Sequence, residues 1–213
     1  IVQSALFTLL AVYATSMNFT ILEISIVTFL LAVSGAIAQF PVGKISDIYD
    51  RRKVIIFSTF GAAIFSILTI IVTRQMYLPD GLATSKTWFY IFFILFSFCS
   101  LPMFSLILAH TNDYIAKEKF VAAGAGLQFI FGLGAISGPF LCSIIMDFIG
   151  SNGFFIFLFF FHSLIGIYGI YRMNVRPSVD NPDSQFVAMP QTITPAGIEL
   201  NPSTEPIEEP IKE

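Results

Sequence analysis

Long apolar runs make up most of the chain, and short polar connections separate them. Five runs have about the 20 residues that a helix needs to cross a bilayer, at about 21–43, 54–73, 88–109, 120–146 and 153–171. A sixth run, at about 1–16, is shorter and covers roughly 24 Å of a hydrocarbon core of about 30 Å. The pattern predicts an all-α membrane protein with six transmembrane helices, and we interpret the first as a spanning helix whose start is missing.

The sequence changes character after Tyr171. Residues 174–213 contain seven of the eleven prolines, together with seven acidic and two basic side chains. No apolar face recurs there, so the segment cannot bury enough surface to offset the entropy lost on ordering. The sequence therefore predicts a six-helix domain over 1–173 and a disordered, acidic, proline-rich tail over 174–213.

Composition supports a lipid environment. Charged residues make up 12% of the chain and the mean hydropathy is +0.80, whereas soluble domains carry about 25% charged residues. The two cysteines, Cys99 and Cys142, lie within apolar runs and form no disulfide framework or zinc-binding spacing. We expect the lipid bilayer as a partner, and neither nucleic acid, cofactor nor metal.

Basic residues are unevenly divided between the two ends of the predicted helices. One side holds eight of them: Lys44, Arg51, Arg52, Lys53, Lys117, Lys119, Arg172 and Arg176. The other side holds only Arg74 and Lys86. Because positive residues are retained on the cytoplasmic side, the pattern predicts a multi-pass protein of the cell (plasma or inner) membrane with both ends of this chain in the cytoplasm.

The connection between the second and third helices carries most of this charge. Gly43 and Asp47 are four residues apart, so they share one face where the second helix leaves the membrane. A carboxylate at a helix C-terminus is disfavoured by the helix dipole, and Arg51 and Arg52 follow within a turn to compensate it. A cluster that only fixes topology explains the bases, but it does not explain the acid.

This connection resembles a loop signature of the major facilitator superfamily of secondary transporters, which reads roughly G-x-x-x-D-R-x-G-R-R. Four residues match it in register: Gly43, Asp47, Arg51 and Arg52. Ile48 stands where the signature has a basic residue, and Asp50 where it has a second glycine. The resemblance implies that the four matching residues form the switch that changes during the transport cycle.

The fifth helix carries a second resemblance, to the antiporter motif of the same superfamily. Gly134, Gly138 and Pro139 match it, whereas Ala125, Cys142 and Ser143 replace its other glycines. We interpret this as an echo of the internal repeat and not as a sign of antiport. The two glycines let another helix approach closely, and the proline permits a bend; ordinary packing and a role in conformational change both remain open.

The resemblance implies that the chain is the C-terminal six-helix half of a twelve-helix transporter, most like the YcaD-like bacterial branch. Such a protein moves a small solute by alternating access through a cavity between two halves, so the N-terminal half would be a partner of this one. The candidate cavity residues are polar side chains in the predicted helices: Gln3, Tyr13, Gln39, Ser97, Ser100 and Gln128. For each one, a hydrogen bond to a neighbouring helix is the alternative.

His110 and Asp113 end the fourth predicted helix, on the same side as the charged connection. They are candidate latch partners for Arg51 or Arg52, with an ordinary surface pair as the alternative. His162 lies well inside the Phe-rich sixth helix, where we expect a hydrogen-bonded packing role.

A membrane scaffold and an intramembrane protease are the two alternatives to a transporter. A six-helix membrane scaffold or interaction protein needs no cavity, but it gives no reason for the signature between the second and third helices. Ser34, Gly35 and His162 resemble parts of an intramembrane serine protease, yet Ala32 stands where that motif has its first glycine. We therefore expect no enzymatic activity and name no catalytic residue.

Overall fold

The fold is built entirely from helices in the part of the chain that can be described. The computed structural model describes residues 1–75, 82–115, 119–175 and 186–189, and no strand occurs in those ranges. Seven helices follow one another: α1 (Val2–Ser16), α2 (Ile21–Ile48), α3 (Arg51–Gln75), α4 (Leu82–Ser100), α5 (Met103–Asn112), α6 (Phe120–Ile149) and α7 (Gly153–Val175). Helices α4 and α5 together form one apolar segment, so the described residues contain six such segments, which we call passes. The all-α prediction is confirmed.

Within the described ranges, five helical spans are long and apolar enough to cross a membrane, and α1 is a shorter apolar helix. The helices extend further than the apolar runs predict. Helix α2 continues to Ile48 and α3 begins at Arg51, so only Tyr49 and Asp50 connect them. Backbone hydrogen bonds continue beyond the hydrocarbon region, because polar side chains there do not prevent a helix. Gly43 and Asp47 therefore lie on α2 and not in a loop.

The opposite end of α2 begins with a capping box. The hydroxyl of Thr20 accepts a hydrogen bond from the backbone N–H of Glu23 at 3.3 Å, and the Glu23 carboxylate accepts one from the backbone N–H of Thr20 at 2.8 Å. This reciprocal pair satisfies donors that a helix start otherwise leaves unpaired. It explains why α2 begins at Ile21, directly after a turn in which Asn18 takes a left-handed conformation.

The fourth pass is broken where the apolar run 88–109 predicts one continuous helix. Leu101 and Pro102 form a turn between α4 and α5, since proline has no N–H to donate. The side-chain amide of Gln3 donates to the carbonyl oxygens of Ser100 and Leu101, at 3.1 and 3.3 Å. The Leu101 side chain packs directly against Gly35, where any Cβ would collide with it. Helices α1 and α2 thus both hold the break in place.

The core is an aromatic cluster near the end of the bundle opposite Arg51. Its fully buried members come from α1, α4 and α7: Tyr13, Phe89, Phe93, Phe96, Phe154, Phe155 and Phe157. The Tyr13 ring lies 5.0 Å from that of Phe155 and 5.1 Å from that of Phe154, in edge-on and stacked geometry respectively. Such pairs contribute about 0.5–1.5 kcal/mol beyond area burial. The first turns of the Phe-rich helix α7 are therefore part of the core.

Glycines allow the later turns of α7 to lie directly on α3. A Cβ at Gly166 would come within 2.9 Å of the Phe60 ring, and one at Gly169 within 2.8 Å of Ile56 Cγ1. Both distances are shorter than van der Waals contact, so the two helices pack at the separation that glycine permits.

We expect Gly166→Val to force α3 and α7 apart and to lower the free energy of unfolding by about 1–3 kcal/mol, the usual cost of overpacking. The matched control is Gly132→Val on α6, because a Cβ at Gly132 meets nothing within 4 Å. Thermal unfolding of both variants in detergent checks this expectation. An equal change in melting temperature for the two would contradict the close packing of α3 and α7.

Candidate functional site

Arg51 lies buried between two carboxylates at the end of the bundle where α2 meets α3. Its Nη1 donates to Asp113 Oδ1 at 2.7 Å, and its Nη2 donates to Asp47 Oδ1 at 3.0 Å. The exposed fractions of the three side chains are 6% for Arg51, 13% for Asp113 and 34% for Asp47. One guanidinium therefore joins the end of α2, the start of α3 and the residue that follows α5.

The helix dipoles explain why these charges need one another. Asp47 lies in the last turn of α2, where the dipole disfavours a carboxylate, and Arg51 is the first residue of α3, where the dipole disfavours a cation. Their ion pair offsets both costs across a connection of two residues. Removing one partner would leave a poorly solvated charge, which is strongly destabilising when the group is buried.

Asp50 replaces the second glycine of the signature and has a structural role of its own. Its carboxylate accepts a hydrogen bond from the backbone N–H of Arg52 at 3.0 Å, so it caps the start of α3. It also pairs with the Arg52 guanidinium at 2.7 Å. Hydrogen bonding from the Arg52 side chain, more than any other cause, lowers the pKa of Asp50. The stabilisation from this carboxylate is therefore present above its ordinary pKa and is lost as the pH falls through the lowered value.

The connection does not need a glycine at this position. Among the described residues, Asn18 is the one non-glycine with a positive φ, so Asp50 avoids the left-handed region. Ile48, which replaces a basic residue of the signature, is exposed. The connection thus stays tight although it departs from the signature. Where the signature has glycine, the Asp50 side chain caps the start of α3.

His110 and Asp113, the candidate latch partners, occupy different positions relative to Arg51. Asp113 is hydrogen-bonded to the guanidinium, whereas His110 Nδ1 lies 3.9 Å from Asp113 Oδ2 and its ring packs edge-on against Tyr114 at 5.1 Å. The structure therefore brings Asp113 into the charged cluster directly and His110 only at its edge. Their role as a latch stays a prediction.

A cavity of about 530 Å³ opens beside α1 and α2. Side chains of α1, α2, α5 and α6 line it, together with Leu101 and a residue of the predicted tail: Ser4, Phe7, Thr8, Ala32, Gly35, Ala36, Gln39, Leu101, Phe104, Phe131 and Met189. Gln39 Oε1 is buried and has no hydrogen-bond partner among the described residues. Of the six predicted cavity residues, Gln39 is the one that lines this space.

The other five candidates lie elsewhere. Gln3 bonds the break between α4 and α5, and Tyr13, Ser97 and Ser100 are fully buried in the bundle. Gln128, on α6, has a buried Oε1 without a partner in the described part of the chain. For Gln3 the structure shows the helix-to-helix hydrogen bond that was the alternative, and substrate contact by any of the six stays a prediction.

His162 is joined to Ser100 and not to Ser34. Its Nδ1 lies 2.8 Å from the carbonyl oxygen of Leu158, and its Nε2 lies 3.0 Å from Ser100 Oγ. A carbonyl only accepts, so Nδ1 carries a proton and donates to Leu158. Ser34 donates to the Leu31 carbonyl at 3.2 Å. His162 therefore ties α7 to α4 as a buried, hydrogen-bonded group.

Gly134 and Gly138 support a close contact between α6 and the start of α1. The Ser4 hydroxyl lies 2.9 Å from the carbonyl oxygen of Gly134, and a Cβ at Gly138 would clash with the backbone of Ile1. Helix α6 continues through Pro139. The glycine face thus lies against another helix, while its role in conformational change stays a prediction.

Sequence reasoning missed an ion pair at the other end of the bundle. Glu23 of the capping box accepts from Lys86 Nζ at 2.5 Å, and the same ammonium lies 5.2 Å from the centre of the Phe19 ring. The Thr20 to Glu23 spacing indicates a helix start, but no local signal reveals a partner 63 residues away.

These features define a multi-pass helical membrane protein whose charges pair at the two ends of its spans. The family model of the Major Facilitator Superfamily matches residues 1–204. The chain belongs to this family. The finer likeness to the YcaD-like branch stays a prediction.

One similar curated protein is named "Uncharacterized MFS-type transporter YE1530", from Yersinia enterocolitica serotype O:8 / biotype 1B. It is 22% identical over 160 residues, which cover 75% of this chain and 37% of that protein. The matched region thus spans little more than a third of the relative's length. No solved structure matches this chain.

The bridge predicts a large energetic coupling between Arg51 and Asp113. We expect Arg51→Gln and Asp113→Asn each to lower the free energy of unfolding in micelles, and the double variant to lose less than the sum. The expected coupling is about 1–3 kcal/mol, because the pair is largely buried. The matched control is the more exposed pair of Asp50 and Arg52, whose coupling should stay below about 1 kcal/mol. Additive losses for Arg51 and Asp113 would contradict the bridge.

Proposed function

We propose that the chain is the C-terminal half of a secondary active transporter that moves a small solute across the cell membrane by alternating access. The observation that carries the proposal is the Arg51 bridge, which joins three helices at one membrane face through charges that can exchange partners. Membership of the Major Facilitator Superfamily supports it. The proposal includes no cofactor and no enzymatic step.

Exposed faces on two helices support a missing half. Only 17% of the most apolar 18 residues of α6 and 28% of those of α2 are buried within the chain, against 56% for the pass formed by α4 and α5. These are the second and fifth passes, which the resemblance places beside the cavity. An N-terminal set of six helices would cover these faces and complete the cavity, and the coverage of the relative is consistent with that length.

The three charged residues differ in their freedom to move. Asp113 is held between α5 and Arg51, whereas Asp47 is the most exposed of the three and can leave the guanidinium for a group on the other half. A partly wetted pair of this kind contributes on the order of 1–2 kcal/mol. That free energy changes the ratio of inward-facing to outward-facing states about tenfold. Asp47 would thus change the ratio of the two states, while Arg51 and Asp113 keep the start of α3 and the end of α5 together.

The cavity supports an uncharged or weakly polar solute on this side. The amide oxygen of Gln39 has no partner among the described side chains and backbone, and Ser4 and Thr8 supply hydroxyls on the facing helix. The acidic residues of the described passes, which are Glu23, Asp47, Asp113 and Asp147, lie at or near helix ends. A proton or ion relay near the midplane would therefore depend on the other half.

The proposed topology is testable by labelling from outside the cell. In the full-length protein, a cysteine at Lys44 should react with an impermeant thiol reagent only after permeabilisation, and one at Gln75 should react in intact cells. Both positions are exposed and lie at opposite ends of neighbouring passes. The unsubstituted protein controls for Cys99 and Cys142. Labelling of the Lys44 cysteine in intact cells would reverse the orientation.

The switch role of Asp47 separates a transporter from a scaffold. We expect Asp47→Asn to slow turnover by about tenfold, since it removes the exchangeable charge, while membrane abundance stays near that of the wild type. The control is Asp147→Asn, an exposed acid at the end of α6, which should transport normally. Uptake is measured in vesicles with a solute identified by screening. Wild-type turnover of Asp47→Asn would leave the charged connection as a topological anchor, and a lack of saturable uptake by the intact protein would favour a scaffold.

A further inference from the structure

A short piece of the predicted tail lies on the charged end of α2. Residues 186–189 are described apart from the rest of the tail, and two of them make hydrogen bonds to the helices. On α2, residues four apart form one row that runs from the cavity to the membrane face: Gly35, Gln39, Gly43 and Asp47. The segment meets this row at its charged end and extends to the cavity.

The first contact uses the switch carboxylate itself. The backbone N–H of Phe186 donates to Asp47 Oδ1 at 2.8 Å, the same oxygen that accepts from Arg51. The Phe186 ring lies on Gly43, where a Cβ would fall 2.9 Å from the ring carbon Cγ and closer still to two others. Gly43 therefore lets an aromatic ring approach the α2 backbone more closely than any side chain would permit. Phe186 therefore covers both α2 residues of the signature, Gly43 and Asp47.

The second contact fixes the other end of the segment. The Ser105 hydroxyl lies 3.1 Å from the carbonyl oxygen of Met189 and 3.2 Å from its backbone nitrogen, so α5 holds both polar groups of that residue. Met189 is only 9% exposed and lines the cavity beside Gln39. A long, flexible, apolar side chain fills an irregular space well. The segment thus reaches from the rim of the membrane into the cavity.

We propose that residues 186–189 form an autoinhibitory strap, which closes the cytoplasmic mouth of the cavity and holds Asp47 in its bridge to Arg51. An oxygen that accepts two hydrogen bonds must break both before the carboxylate can move to another partner. Met189 occupies space that a solute would cross on the cytoplasmic side. Because the strap is covalently attached to α7, weak contacts are enough to keep it docked. This inference rests on the proposed function in one respect, namely that the cavity serves transport.

The strap is tested in the full-length protein by cavity access, which needs no known substrate. A reporter cysteine replaces Ala36, an exposed residue of the cavity wall, and its reaction with an impermeant thiol reagent is timed in inside-out vesicles. With Phe186→Ala and Met189→Ala together, we expect the reaction to be roughly tenfold faster, as for a population shift of one decade. The matched control is Ala188→Ser, at the exposed residue of the same segment, which should react at the parent rate.

A second measurement keeps the test independent of transport. Hydrogen exchange at the Phe186 and Met189 amides should be slow in the parent, and Asp47→Ala should speed it at Phe186. Equal thiol reaction rates in the parent and the double variant, at equal abundance, would overturn the strap. If the two thiol reaction rates are equal while Asp47→Asn still slows uptake, the transporter proposal stands without the strap. Faster access with no uptake by any variant would instead leave the strap in place and contradict transport.

Discussion

The buried guanidinium of Arg51 is the constraint on which the end of the bundle where α2 meets α3 depends. A cation with 6% of its side chain exposed must have carboxylate partners, and its two partners come from α2 and from the end of α5. The ends of three passes are therefore fixed relative to one another by one side chain. The paired residues Asp47 and Arg51 are only four positions apart. The connection between α2 and α3 is therefore short and consists of Tyr49 and Asp50.

Much of the fold could be predicted from the sequence, because a helix in lipid needs a long apolar run and such runs are easy to recognise. Five apolar runs of sufficient length and one shorter run predict the six apolar segments, and the spacing of Gly43, Asp47 and Arg51 predicts that their charges lie close together. The helix ends were placed less well, since α2 continues to Ile48 through residues that are polar yet still helical. Hydropathy reports where lipid ends and not where backbone hydrogen bonding ends.

The candidate site was harder to predict because it depends on distant partners. Nothing near Gln3 in the sequence reveals that its amide reaches the carbonyls of Ser100 and Leu101, and nothing near Glu23 indicates Lys86. Composition also placed residues 186–189 in a tail without packing, although Met189 is buried against Ser105. A few well-placed contacts can order four residues that no apolar periodicity would reveal.

The turn at Leu101 and Pro102 divides the fourth pass into two helices, α4 and α5, which make different contacts. Helix α4 contacts α1 through the stacked rings of Phe89 and Tyr13, and it contacts α7 through the edge-on rings of Phe93 and Phe96. Helix α5 instead ends at the carboxylate that meets Arg51. The two helices of this pass therefore depend on different forces, because apolar ring contacts fix α4 whereas an ion pair fixes the end of α5. A change in salt or pH would act on the attachment of α5 and leave that of α4 unchanged.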